Sequence, residues 1–123
     1  MIGTLRTVVL DAPDARRLAA FYTALGGWTE QYADDEWVTT FTGDGWRLGF
    51  QAARDHVPPQ WPDGASQQMH FDLATDDARA ADSRVLDAGG RRLRPTDDID
   101  ASARPGSRVY ASPAGHPFCL RPA

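Results

Sequence analysis

Apolar positions along the chain fall into two periods, and the same succession of periods occurs twice. Leu5 to Asp11 is a β-branched and aliphatic run that predicts a buried strand, and Pro13-Asp14 after it are residues that open helices. Leu18, Phe21, Tyr22 and Leu25 recur at i, i+3, i+4 and i+7, the apolar stripe of an amphipathic helix, which Gly26-Gly27 ends. Farther on, Met69 to Ala74 predicts another strand and Asp76-Asp77 supply helix-start acids. Ala78, Ala81, Val85 and Leu86 form a thinner stripe, stopped by Gly89-Gly90. The two helices are expected to match in length and bounds. Asp77-Ala78-Arg79 lies 63 residues after Asp14-Ala15-Arg16, and Gly89-Gly90 lies 63 after Gly26-Gly27. Each identity marks a helix start or stop, which is what a duplicated unit leaves behind.

Short strand candidates follow each helix: Trp28–Ala33, Trp37–Thr42 and Trp46–Ala53 in the first half, then Arg91–Thr96, Arg108–Ser112 and Phe118–Arg121 in the second. The expected fold is therefore α+β. It is a single domain over 1–123 made of two β-α-β-β-β modules, about 4–53 and about 67–122, that form a cupped mixed sheet. The Pro-rich stretch 54–66 reads as a stiff connector, and Trp61 within it predicts that it packs on something. One helix covers only one face of a four-stranded sheet, so two modules gain by turning their open faces toward each other. Alternation then puts Phe71 and Leu73 against the helix and Gln68, His70 and Asp72 on the open face. The 63-residue offset places Thr7 level with His70. The triplets Leu48-Gly49-Phe50 and Phe118-Cys119-Leu120 make Gly49 and Cys119 equivalent, with Gln51 and Arg121 one pleat further. Thr7, Gly49, His70 and Cys119 are the expected floor of the hollow. Alternation assigns Trp46 to the core with Leu48 and Phe50, leaving Trp37 and Trp61 as candidate ligand contacts.

Composition narrows the chemistry. Hydrophobic residues make up 41% and charged residues 24% of 123, the balance of a soluble globular protein. No apolar run approaches the roughly 20 residues of a membrane span, and Met1-Ile2-Gly3 leads directly into a strand-like segment, so a cytoplasmic location is expected. The single cysteine, Cys119, excludes an internal disulfide and multi-cysteine metal sites. All 13 basic residues are arginine, against 17 acidic ones, and no basic stripe is present, so nucleic acid is not an expected partner. Asp34-Asp35-Glu36 and Asp97-Asp98 with Asp100 lack the spacing and closing glutamate of a calcium loop and read as solvated turns. His56 and His116 are expected to be exposed.

The layout resembles the vicinal oxygen chelate superfamily, in particular its glyoxalase-like and bleomycin-resistance-type branch. The resemblance rests on Val8-Val9-Leu10-Asp11-Ala12-Pro13-Asp14, Ala20-Phe21-Tyr22 with Leu25-Gly26-Gly27-Trp28, and Leu48-Gly49-Phe50-Gln51. Trp61-Pro62-Asp63-Gly64, Gln67-Gln68-Met69-His70-Phe71-Asp72-Leu73 and Ser112-Pro113-Ala114-Gly115-His116-Pro117-Phe118-Cys119-Leu120 complete it. Metal-dependent members, among them lactoylglutathione lyases, extradiol dioxygenases and fosfomycin-modifying enzymes, hold an ion with His, Gln and Glu from the first and last strands of each module. Carried over position by position, that pattern falls on Thr7, Gly49, His70 and Cys119, where only His70 keeps a usual ligand. No cofactor is therefore expected, and a divalent metal is disfavoured, with Gln51 or Asp72 as the only recruits. The resemblance also implies a homodimer.

Each candidate has a plainer account. His70 is either a satisfied buried histidine or a catalytic proton donor and acceptor. Cys119 is either a small apolar filler, the favoured reading, or a nucleophile. Three functions follow, in this order: a metal-free binder of a small organic molecule; a lyase or isomerase acting on a small oxygenated substrate through His70, with Gln51 or Arg121 polarising a carbonyl; and a partner module without a ligand.

Overall fold

A computed structural model describes residues 1–104 and 106–123. The chain divides into two compact units, Met1–Val57 and Pro58–Ala123, which share the Pro-rich stretch between them. The first contains β1 (Val8–Ala12), α1 (Ala15–Gly26), β2 (Thr29–Ala33), β3 (Trp37–Phe41) and β4 (Arg47–Ala52). The second repeats the order with β5 (Phe71–Thr75), α2 (Ala78–Asp87), β6 (Arg91–Arg94), β7 (Arg108–Ala111) and β8 (Pro117–Pro122). Each unit holds a mixed four-stranded sheet, in the order β1-β4-β3-β2 and β5-β8-β7-β6 respectively. The first and last strands run parallel and the remaining pairs antiparallel. The expected α+β fold of two β-α-β-β-β modules is present.

The helix signals act as the sequence suggests. Asp14 accepts a hydrogen bond from the Arg17 N–H at 3.0 Å, and Asp77 does the same for Ala80 at 3.0 Å, so each carboxylate satisfies a backbone donor left free in the first turn. Gly27, left-handed at φ 65°, closes α1 by donating to Thr23 O at 2.9 Å. In the first unit Leu18, Phe21 and Tyr22 of α1 are buried with Val38 and Phe50, and Tyr22 stacks between Phe50 and Trp28 at 5.9 Å from each. The second unit is built around Val85, Tyr110 and Phe118, the two rings stacked at 5.7 Å.

Strand pairing bears out the equivalences read from the repeat. Val9 pairs with Gly49 and Asp72 with Cys119; Asp11 pairs with Gln51 and Ala74 with Arg121. A further correspondence was not legible: β2 and β6 each carry one extra residue, Gln31 and Leu93, at the same point of the ladder.

Several expectations are corrected. β1 starts at Val8, because its partner β4 starts at Arg47 and offers no ladder beyond the turn; Leu5 is 74% exposed. β5 starts at Phe71, not Met69, because Gln68 at φ 64° breaks the extended run just before it. α1 has 12 residues and α2 has 10, so the helices are not equal. Leu86 is 41% exposed, and the inner face of α2 is completed by Asp82 instead. Trp46 is not in the core. It precedes β4 in the hairpin turn, where its backbone N–H and C=O bond to Thr42, and its side chain is exposed. His56 and His116 are half-buried rather than exposed; the His116 N–H donates to the buried Ser112 hydroxyl at 3.2 Å. Trp61 is packed as the connector composition suggested, with the Arg94 guanidinium 5.2 Å from its ring centroid.

Candidate functional site

The sheet face turned away from the helix carries the candidate residues of each unit. In the first unit, β3 and β4 lie side by side with Trp37 opposite Gln51 and Thr39 opposite Gly49. The Trp37 ring lies over Gly49: a Cβ there would come within 2.6 Å of its Cη2 and 3.3 Å of Thr7 Cγ2. Thr7, Trp37 and Gly49 thus form one patch, with Gln51 exposed beside it on β4.

Trp37 is held at its side chain and at its backbone. Its indole N–H donates to Thr39 Oγ1 at 2.7 Å, and its backbone N–H donates to Asp34 Oδ1 at 2.8 Å. Asp34 also accepts from the Glu36 N–H at 2.8 Å and from the Tyr32 hydroxyl at 2.6 Å. These bonds, that from Tyr32 foremost, hold its carboxyl below the ordinary carboxylate range. The Asp34-Asp35-Glu36 cluster is a turn, as its spacing suggested, but Asp34 within it positions an aromatic ring. The sequence marks Asp34 only as part of an acidic turn and does not single out Thr39. The usable signal was an aspartate three residues before an aromatic at a strand start.

In the second unit the open face gathers His70, Asp72, Cys119 and Arg121, while Trp61 sits apart under Arg94. Asp72 is the hub. Arg121 Nη1 donates to its Oδ2 at 3.0 Å and His70 Nε2 lies 3.4 Å from its Oδ1. The Arg121 guanidinium holds the Asp72 carboxyl below its usual range, with His70 and the Cys119 thiol contributing less. Burial pushes the Cys119 thiol up, and the neighbouring Asp72 charge adds to this. At neutral pH Cys119 is accordingly held in its thiol form, which works against a nucleophilic role. Iodoacetamide should alkylate it several-fold more slowly than a free cysteine. Asp72→Asn should speed the reaction, since it removes the repelling charge and leaves Arg121; an unchanged rate in that variant would contradict the assignment.

Donor chemistry decides how well a divalent ion suits these residues. Ligand atoms of His70, Asp72 and Cys119 lie within 4.8 Å of one another. However, the carboxylate is already paired with a guanidinium, whose positive charge opposes a cation, and the thiol would have to lose a proton that its surroundings retain. The corresponding positions of the first unit offer the Thr7 hydroxyl and no side chain at Gly49, over which Trp37 lies. The residues present fit the ion of the metal-dependent members poorly.

Residues 7–121 match the family profile described as "Glyoxalase-like domain". The chain belongs to the glyoxalase-like domain family. Among known proteins, this glyoxalase-like chain is 35% identical to the anthracycline biosynthesis protein DnrV of Streptomyces peucetius, over 90% of its own length and 44% of that protein. It therefore spans under half the length of this curated relative. Its fold is that of a glyoxalase-related enzyme from Fulvimarina pelagi, with TM-score 0.68, 20% identity, and coverage of 99% of this chain and 89% of that one. It is also that of the fosfomycin resistance protein FosX from Listeria monocytogenes, with TM-score 0.70, 16% identity, and coverage of 100% and 93%. These neighbours place the glyoxalase-like chain in the vicinal oxygen chelate fold. Among the described residues no helix is long and apolar enough to cross a membrane.

Proposed function

We propose that this glyoxalase-like protein binds a small aromatic organic molecule on the helix-free sheet surface, without a divalent metal, and works as a cytoplasmic homodimer. The observation that carries the reading is Trp37 lying across Gly49, held by Thr39 and Asp34. An indole tied by its own N–H, on a backbone pinned by Asp34, loses little freedom when a flat ligand stacks on it. It also occupies the space that a metal-binding side chain at position 49 would need. Similarity to a protein named for the biosynthesis of anthracyclines, a polycyclic aromatic class, supports an aromatic ligand.

The test combines elemental analysis of untagged protein, thermal shift in Ni, Zn, Mn, Fe and Mg, and titration with a fluorescent anthracycline. Substoichiometric metal, no metal-dependent shift, and binding weakened roughly fivefold by Trp37→Ala are expected, the scale of one aromatic stack. Stoichiometric metal, a large shift abolished by His70→Ala, or unchanged binding by Trp37→Ala would overturn the reading.

One arrangement favours a second reading, an enzyme of the lyase or isomerase kind. His70 is accessible and faces a carboxylate that Arg121 fixes in place, the geometry that orients an imidazole for proton transfer. Turnover of a glutathione hemithioacetal that His70→Gln abolishes, with ligand affinity retained, would select it over simple binding.

A further inference from the structure

We propose a second small-molecule site at one end of the first unit's sheet, fitted to a planar aromatic carboxylate. Thr7 borders both this hollow and the Trp37 surface, but the chemistry proposed here uses neither Trp37 nor Gly49 and does not depend on the reading given there. The segment leading into β1 and the β3–β4 hairpin turn enclose an open hollow of about 340 Å³, within the range of small-molecule sites. Leu5, Arg6 and Thr7 line it from one side; Asp44, Trp46 and Arg47 line it from the other.

Three observations give the hollow its chemistry. The first is aromatic: Trp46 is 54% exposed although its backbone is fixed to Thr42 by bonds of 3.0 and 3.2 Å, so a large apolar ring is presented on a pinned turn. Leu5 adds a second exposed apolar side chain in the same hollow. The second is charge. In a chain with net charge −4, two arginines line the hollow against one carboxylate, and that carboxylate, Asp44, is engaged by the Thr42 hydroxyl.

The third is that, among the described residues, these guanidiniums have no carboxylate partner. Arg16, Arg92, Arg108 and Arg121 each meet a carboxylate, whereas among the described residues neither Arg6 nor Arg47 has one within 4 Å. Their planar forks match a carboxylate with two parallel hydrogen bonds, and a ring attached to it would lie on the indole and Leu5. Neither feature suffices alone: an anion without a ring leaves the indole in water, and a ring without an anion leaves the arginines unpaired.

Titration of the full chain with 2-naphthoate, followed by backbone amide shifts, tests the site. Shifts should concentrate at residues 5–8 and 44–47. Arg6→Gln and Arg47→Gln should each weaken binding by roughly threefold to tenfold, and Trp46→Ala by about as much, the scale of a solvent-screened charged hydrogen bond or one stack. All three side chains are on the surface, so the melting temperature should hold and a loss of binding would not reflect unfolding. 2-Naphthylmethanol and inorganic phosphate, each carrying one half of the chemistry, should bind at least about tenfold more weakly. The proposal is overturned if shifts fall around Trp37 or His70 instead, if the double arginine variant binds as well as wild type, or if the neutral alcohol binds equally. Binding of naphthoate at residues 5–8 and 44–47 with an anthracycline that fails to bind would leave this site standing and remove the proposed function.

Discussion

Replacing Asp82 by alanine should lower stability by about 2–3 kcal/mol, or roughly 10 °C in Tm for a chain of this size. Asp82 is 5% exposed on the inner face of α2. Arg92 grips it with two bonds, Nε to Oδ1 at 2.9 Å and Nη2 to Oδ2 at 2.6 Å, and the buried Tyr110 hydroxyl donates to it at 2.6 Å. Removing the carboxylate strands a phenol and a largely buried guanidinium together. The effect stays below that of a fully buried pair because Arg92 also bonds Asp98 at 2.9 Å on the solvent side. Arg92 chiefly, and Tyr110 after it, hold the Asp82 carboxyl below its ordinary value. A depressed folded-state pKa means that this contribution is complete above the unfolded value of about 4 and is lost as the pH falls through the folded one. Acid unfolding should therefore begin nearer neutrality in Asp82→Ala and lose part of its steepness. Burial, with Asp82 beside it, raises the Tyr110 phenol, so its contribution is lost in the opposite direction, as strong alkali is approached. Urea melts at pH 3, 7 and about 11 read both effects, and a variant within about 0.5 kcal/mol of wild type at pH 7 would refute the account.

The second large effect is expected from the smallest residue of the open face. Gly49→Ala should cost about 1–3 kcal/mol, because its methyl carbon would sit 2.6 and 2.7 Å from two atoms of the Trp37 ring on a central strand that cannot retreat. The cost should nearly vanish when Trp37 is alanine. A double-mutant cycle measured by urea denaturation isolates this coupling. Equal costs of Gly49→Ala with and without the indole would mean that the ring does not hold its place over the glycine.

These two sites show what the amino-acid order discloses and what it conceals. Helix starts were legible because Asp14 and Asp77 act locally, through bonds to N–H groups three residues away. The duplication was legible because those caps recur with the Gly-Gly stops. Gly49 and Cys119 take equivalent ladder positions, opposite Val9 and Asp72, because alternation within a strand survives small errors in its ends, whereas Thr7 and His70 fall just before β1 and β5. Trp46 was misplaced because that alternation was carried past the end of β4 into a turn. Asp82 was missed for a different reason. Among the acids of α2 it resembles a surface residue, and its partners arrive from β6 and β7, 10 and 28 residues away. The hint lay in comparing halves, since Arg108 and Tyr110 occupy the buried ladder positions held by Val38 and Thr40 in the first unit. A guanidinium in place of Val38 and a phenol in place of the smaller Thr40 hydroxyl demand a polar counterpart on the helix above. The Trp37 clamp was hidden because Asp34 serves both as a turn former and as an anchor for the ring.

The extra residue in β2 and in β6 carries a consequence for self-association. Both are outermost strands, and the insertion interrupts their regular row of amide and carbonyl groups. An incoming chain that tried to extend either sheet there would meet a broken template, whereas β1 and β5 present unbroken borders. Fibrillar growth through β2 or β6 is thereby blunted twice over, and deletion of Gln31 or Leu93, which restores a straight margin, should make the protein more prone to aggregate on heating.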